Sequence, residues 1–121
     1  MSTLFRIIAA HAVAVGVAWS PVPESDGSDL FVTVGISHLK FWKFRRGQRR
    51  RECDMGTYGD KGVQPRAVYA VAFNQAGRAV TGAADGRVSL WQGAECVYSF
   101  TAHTGPVHCV ACTPCSIWTA G

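Results

Sequence analysis

The sequence has no long uninterrupted apolar run and no extended repeat of apolar residues at the 3.6-residue period of an amphipathic helix. These absences argue against a helical bundle and against a membrane-spanning helix. Disorder is excluded as well, because 48% of the residues are hydrophobic and only 17% are charged. The thirteen glycines instead indicate many turns. Together these properties favour an all-β fold of short strands.

The N-terminal segment leaves two interpretations open. Ile7 to Ala18 is apolar, follows Arg6 and has the length of the apolar region of a signal peptide. His11 interrupts this segment, and Trp19-Ser20-Pro21 makes a poor cleavage site. We therefore favour a buried β-strand over a signal peptide.

The cysteines do not form the even, regularly spaced set of a disulfide framework. There are five, Cys53, Cys96, Cys109, Cys112 and Cys115, and an odd number favours a reduced, cytoplasmic location. Cys109-x2-Cys112-x2-Cys115 suggests a metal site near His103 and His108, but a second CxxC is absent. Cys109 and Cys112 would also point to opposite faces of a strand. We expect no metal and no cofactor.

A catalytic set is also lacking. None of the histidines (His11, His38, His103 and His108) stands beside a recognisable nucleophile and an orienting acid. The glycine series Gly56-x2-Gly59-x2-Gly62 lacks the Ser or Thr that follows the lysine of a phosphate-binding loop. The sequence predicts a non-enzymatic protein.

One stretch shows clearly how the chain is organised. Val68 to Trp91, VYAVAFNQAGRAVTGAADGRVSLW, contains three alternating apolar runs separated by turn residues. Asp85-Gly86 lies between two of these runs and is a strong hairpin signal. Val68, Val71, Ala72 and Gly82 recur 39 residues later as Val107, Val110, Ala111 and Gly121, and Trp42 occupies the same place as Trp91 in an earlier unit.

A repeat of about 40 residues with four strands and a terminal Trp is typical of a β-propeller blade. We therefore predict an all-β, partial β-propeller of about two and a half four-stranded blades. The first blade should span about residues 11–52, with an outer strand near Arg45 to Arg51, and a linker or insertion should follow at 53–66. The second blade should span 67–101, and a third should begin at 102–121. Trp19 and Trp118 should pack inside.

At these residues the chain resembles the tryptophan–aspartate (WD) repeat family. The resemblance implies a buried hydrogen-bonded set in each blade, made from a His, a Ser or Thr, an Asp and a Trp. Its members here are Thr81, Asp85 and Trp91, followed by His103 and Thr119 for the next blade. No His precedes Val68 at the expected distance, and the first blade has Ile36-Ser37-His38 where the Asp belongs. These departures indicate a divergent subfamily.

A narrower resemblance is to the echinoderm microtubule-associated-protein-like (EMAP-like) family. It is carried by LFVTVGISHLKFW, GTYG, the Val68 to Trp91 stretch and FTAHTGPVHCV. The resemblance implies a cytoplasmic, cytoskeleton-associated scaffold that binds tubulin and microtubules. The alternative is a general WD-repeat interaction scaffold without tubulin contact. Because blades bury their faces only against neighbours, we expect the chain to need the rest of a propeller and to be poorly soluble alone.

Positive charge is concentrated in one segment. Of the twelve Lys and Arg residues, seven lie between Lys40 and Arg51, so the remainder of the chain is net acidic. Such a patch would bind an acidic protein such as tubulin, or nucleic acid without sequence preference. It would equally serve to keep an edge strand from pairing. The candidate residues are Lys40, Lys43, Arg45, Arg46, Arg49, Arg50 and Arg51.

Overall fold

The computed structural model describes residues 14–24, 27–45, 52–113 and 116–121, without the side chains at 14, 15 and 52. These residues form three antiparallel sheets, and each sheet follows the order of its strands in the chain. The first sheet contains β1 (Ala14–Trp19), β2 (Asp29–Gly35), β3 (His38–Phe44) and β4 (Glu52–Met55). The second contains β5 (Val68–Phe73), β6 (Ala79–Ala83), β7 (Arg87–Gln92) and β8 (Glu95–Thr101). The third contains β9 (Cys109–Cys112) and β10 (Ile117–Ala120).

Alternating apolar residues place two buried layers between these sheets. The larger layer lies between the first and second sheets and has Trp91 in it, together with Leu30, Val32, Val34, Leu39, Phe41, Tyr58, Val68, Ala79 and Cys96. The smaller layer is formed by Val80, Val88 and Val107, between the second and third sheets. β5 contacts both β1 and β9, so the first strand of each sheet lies next to its counterpart. Sheets stacked side by side around their first strands are the blades of a propeller.

The predicted hairpin at Asp85-Gly86 joins β6 to β7. Gly86 has φ of 86°, which suits glycine, and a Cβ there would collide with the carbonyl oxygen of His103. The Gly86 carbonyl accepts hydrogen bonds from the backbone N–H groups of Ala102 (2.9 Å) and His103 (3.2 Å). This turn therefore fixes the connection that leads from the second sheet to the third.

The prediction of an all-β, partial propeller is confirmed. The outer strand of the first sheet differs from the expectation, because β4 lies at Glu52–Met55 and three of its four residues fall in the expected linker. Two carboxylates in four residues gave no strand signal, and cross-strand pairing with β3 overrides that low propensity. The expected strand at Arg45 to Arg51 lies outside the described residues from Arg46 onwards.

The repeat spacing of 39 residues does not hold in the second strand of the second and third sheets. Gly82 pairs with Ala70, whereas Ala120 pairs with Cys109, so Ala120 and not Gly121 is the counterpart of Gly82. Thr81 and Thr119 do match, because they pair with Val71 and Val110. The described part of the chain contains no helix long and apolar enough to cross a membrane.

Candidate interaction surfaces and the buried polar set

Thr81 and Trp91 form the centre of the predicted polar set. Both side chains are fully buried, at 0% exposure, and the Trp91 indole N–H donates to Thr81 Oγ1 over 2.9 Å. The indole packs between Phe41 of the first sheet and Tyr58, with ring centroids 5.3 and 4.9 Å away. A buried donor that lacks a partner is costly, so this pair makes a large aromatic side chain compatible with the core.

Asp85 does not join this pair, contrary to the expectation of a buried carboxylate. Its side chain is exposed and accepts from Arg87, over 2.7 Å from Nε and 3.1 Å from the backbone N–H. The reason is local. No histidine precedes this sheet at the expected distance, and the Arg87 guanidinium, two residues later, binds the carboxylate at the surface.

Arg87 also contacts a segment that lies within the expected linker. We call residues 56–63 the strap. Arg87 donates to the carbonyls of Lys61 (3.4 Å) and Val63, and its guanidinium lies 5.2 Å from the ring centroid of Tyr58. Tyr58 is buried, with its hydroxyl unpaired among the described residues. Burial raises the pKa of this hydroxyl well above its usual value, although the nearby Arg87 charge opposes the rise.

His103 and Thr119 are brought together as the resemblance implied. His103 Nε2 and Thr119 Oγ1 lie 3.0 Å apart and are part-buried. The bond links the connection after β8 to β10, the second strand of the third sheet. It therefore ties the connection between the second and third sheets to a strand of the third sheet.

The first sheet contains a polar set that the sequence interpretation missed. Thr33 Oγ1 lies 2.7 Å from His38 Nε2 and accepts from the Trp42 indole over 3.0 Å. All three side chains are buried. A histidine directly after the turn that lacks the Asp was the sequence signal for this set. The His38 imidazole, from the same hairpin, bonds the Thr33 hydroxyl.

The basic residues do not form one surface in the described part of the chain. On β3, Lys40 and Lys43 have opposite parity, so their side chains leave opposite faces of the first sheet. Lys43 lines a cavity of about 130 Å³ in the seam between the first and second sheets, with Glu24, Leu30, Phe41, Asp54, Gly93 and Ala94. Arg45 follows the end of β3, while Arg46, Arg49, Arg50 and Arg51 lie outside the described residues.

The four described cysteines, together with Trp19 and Trp118, lie on strands. Cys112 packs against the smaller apolar layer and Cys109 is exposed, whereas Cys115 is outside the described residues. Burial raises the pKa of the Cys53, Cys96 and Cys112 thiols. Trp118 is 65% exposed, contrary to the expectation, because it lies on the face of the third sheet turned away from the second. Trp19 is half exposed but packs against Phe31, with centroids 4.7 Å apart.

Several loops and strand ends meet at one end of the sheets. The β2–β3 turn at Ile36-Ser37 and the starts of β5 and β9 all lie there, since Ile36 bridges to Ala67. We call it the Ile36 end. Tyr69 and His108 stack across it with centroids 5.3 Å apart and an interplanar angle of 20°. Ile36 and His108 are exposed, so this end presents a mixed apolar and polar surface.

Side-by-side antiparallel sheets with a Thr–Trp hydrogen bond in the core define a β-propeller repeat protein. The sequence matches the family described as "WD domain, G-beta repeat" over residues 60–92 and 94–121, half of the chain. The chain belongs to this WD-repeat family, whose members are in general non-enzymatic protein-interaction scaffolds.

One relative is the ciliary WD repeat-containing protein ctxp80 of Euplotoides octocarinatus. It is 29% identical over 87 residues, which cover 72% of this chain and 11% of that protein. The chain therefore spans only about a tenth of the length of this relative.

Proposed function

We propose that the chain is part of a cytoplasmic, cytoskeleton-associated WD-repeat scaffold of the EMAP-like kind that binds tubulin and microtubules through its basic segment. The observation that carries the proposal is the concentration of seven cationic side chains between Lys40 and Arg51. Two further points support it: the resemblance to the EMAP-like family, and a relative described as ciliary.

The place of the basic segment in the fold suits an electrostatic contact. Five of its seven cations, all but Lys40 and Lys43 on β3, lie in the connection that leaves β3 at Phe44 and returns at Glu52 to β4, the edge strand of the first sheet. A cationic connection between the last two strands of a sheet can contact a large acidic surface without a change in the core. Attraction of this kind weakens steeply with salt, because the screening length falls to about 8 Å at physiological ionic strength.

Neutralising Arg49, Arg50 and Arg51 together to Gln is expected to weaken microtubule binding several-fold and to flatten its dependence on salt. The reason is that three of the seven clustered charges are lost while no described core contact changes. Co-sedimentation with microtubules across a series of salt concentrations measures both effects.

The matched control neutralises three scattered, exposed cations, Lys61, Arg66 and Arg78. It makes the same change in net charge, so it should leave binding and its salt dependence nearly unchanged. Equal loss in the two triple variants would attribute binding to net charge alone, and unchanged binding in both would remove the basic segment from the proposal. If the parent chain binds RNA more tightly than it binds tubulin, nucleic acid is favoured as the partner.

The rest of a propeller belongs to the same proposal. Val17, Trp19 and Met55 are exposed on the first sheet, on the face away from the second, and Trp118 is exposed on the far face of the third. Apolar residues on two flat open faces are what neighbouring blades cover in a ring. We propose that further blades cover both faces, and that residues 56–66 connect one blade to the next.

The second candidate is a general WD-repeat scaffold without tubulin contact, favoured by the stacked Tyr69–His108 pair at the Ile36 end. Replacing both residues with Ala should abolish binding of a non-tubulin partner while microtubule co-sedimentation stays unchanged. Partners identified by proximity labelling of the parent chain provide the comparison. A double variant that loses microtubules as well would show one shared surface and reject the separation.

A further inference from the structure

The two four-stranded sheets have outer edges of very different character. β4 is four residues long and includes two carboxylates, Glu52 and Asp54. β8 is seven residues long, its only charge is Glu95 at the first position, and it contains no proline. Short length, charge and proline are the usual features that keep an edge strand from pairing with another chain. The β4 edge has the first two, and the β8 edge has none along most of its length.

An exposed aromatic pair lies along this edge. Tyr98 is 58% exposed and Phe100 is 41% exposed, and their ring centroids are 5.7 Å apart. They lie opposite Leu90 and Val88 and therefore on the face toward the third sheet.

The first sheet shows how accessible such a position remains when a neighbouring sheet is packed on it. Trp42 matches Trp91, so the residues before them, Phe41 and Leu90, are equivalent. Phe41 pairs with Asp54 and Leu90 pairs with Tyr98, so Asp54 and Tyr98 occupy the same position in their sheets. Asp54 is exposed although the second sheet covers that side of the first. The seam between sheets is thus open at its outer strand, so a third sheet extended to four strands would leave the Tyr98 position accessible.

The β8 edge already pairs with another segment at one end. The Thr57 N–H donates to the Ala94 carbonyl over 2.9 Å, and the Cys96 N–H donates to the Thr57 carbonyl over 3.0 Å. Thr57 and Glu95 form a parallel bridge there. Past Cys96, none of the described strands pairs with the outer side of β8. The free stretch is therefore 97–101.

We propose that this free stretch pairs, antiparallel, with the same stretch of a second copy of the chain. Thr57 occupies one end of β8, so a symmetric register is centred on Ser99 and places Tyr98 of each copy opposite Phe100 of the other. Cross-strand aromatic pairs stabilise antiparallel strands. The stretch contains no charge, so no like charges meet, and a two-fold axis at Ser99 makes the contact closed rather than fibre-forming.

Sedimentation equilibrium of the chain and of the double variant Y98K/F100K tests this pairing. Four ammonium groups would meet across the two-fold axis, so the dimer dissociation constant is expected to rise roughly tenfold or more. Mixing Y98K/F100K with Y98E/F100E should restore a 1:1 dimer, because each Lys then faces a Glu. An unchanged dissociation constant, or a mixture that fails to recover, would reject the proposal.

Two single variants separate this edge from the open apolar faces. M55K and W118K place a charge on the far faces of the first and third sheets, so neither should change the β8 dimer. Loss of association in M55K or W118K, with Y98K/F100K unaffected, would assign self-association to those faces instead. Hydrogen exchange of the unmodified chain gives a second test: protection of 97–101 should rise with protein concentration while that of 52–55 stays constant. Protection independent of concentration would contradict the pairing.

Discussion

Replacing Trp91 with Ala is expected to lower the free energy of unfolding by about 3–5 kcal/mol, the range for deleting a fully buried aromatic side chain. The indole fills the layer between the first and second sheets, and the surrounding strands belong to two separate sheets that cannot both collapse into the space. Urea unfolding followed by far-UV circular dichroism measures the change, since fluorescence would lose one of its reporters.

Two further variants show whether packing or hydrogen bonding dominates at this position. Trp91→Phe keeps an aromatic ring in the core, so it should lower the free energy of unfolding less than Trp91→Ala does. It still leaves the Thr81 hydroxyl without its indole donor. Trp118→Ala removes the same side chain from an exposed site, and its effect should stay within about 0.5 kcal/mol. Comparable losses at Trp91 and Trp118 would mean that the third sheet is packed more tightly than its exposure indicates.

The strand pattern around Trp91 was predictable because it depends on local signals. Alternation in Val68 to Trp91, the Asp85-Gly86 turn and the spacing of Trp42 and Trp91 are enough to indicate repeated antiparallel hairpins. β4 was not predictable in this way. A four-residue strand with two carboxylates has low strand propensity, and it forms because β3 presents a free edge next to it.

The polar sets show the same division. The Thr81–Trp91 and His103–Thr119 bonds follow from residues at the places that the WD resemblance marks. The position of Asp85 depends on Arg87. Nothing in the sequence indicates that Asp85 will pair with an arginine two residues away and not with a more distant histidine. Tyr58 is harder still, because a tyrosine in a glycine-rich segment gives no sign that it will be buried against a tryptophan 33 positions later.

Replacing Arg87 with Ala is expected to lower the free energy of unfolding by about 1–3 kcal/mol, the scale of losing several hydrogen bonds from one charged group. The larger effect should be local. Arg87 connects Asp85 of the β6–β7 turn to two carbonyls of the strap and lies over Tyr58. Without it, the strap keeps the burial of Tyr58 and its backbone bonds, which join Gly56 to Leu39 of β3 and Thr57 to Ala94 and Cys96. Hydrogen exchange at Thr57 and Cys96 should therefore speed up more than exchange in β6.

Arg87→Lys separates charge from geometry. A lysine can still pair with Asp85, but it lacks the planar fork that reaches the carboxylate and the strap carbonyls together. Its strap should exchange nearly as fast as that of Arg87→Ala, although its stability should fall between that of the parent and that of the Ala variant. Arg78→Ala, at an exposed turn position, should change neither quantity. If the strap stays protected in both Arg87 variants, Tyr58 packing and the backbone bonds of Gly56 and Thr57 are enough to hold it, and the guanidinium only neutralises Asp85.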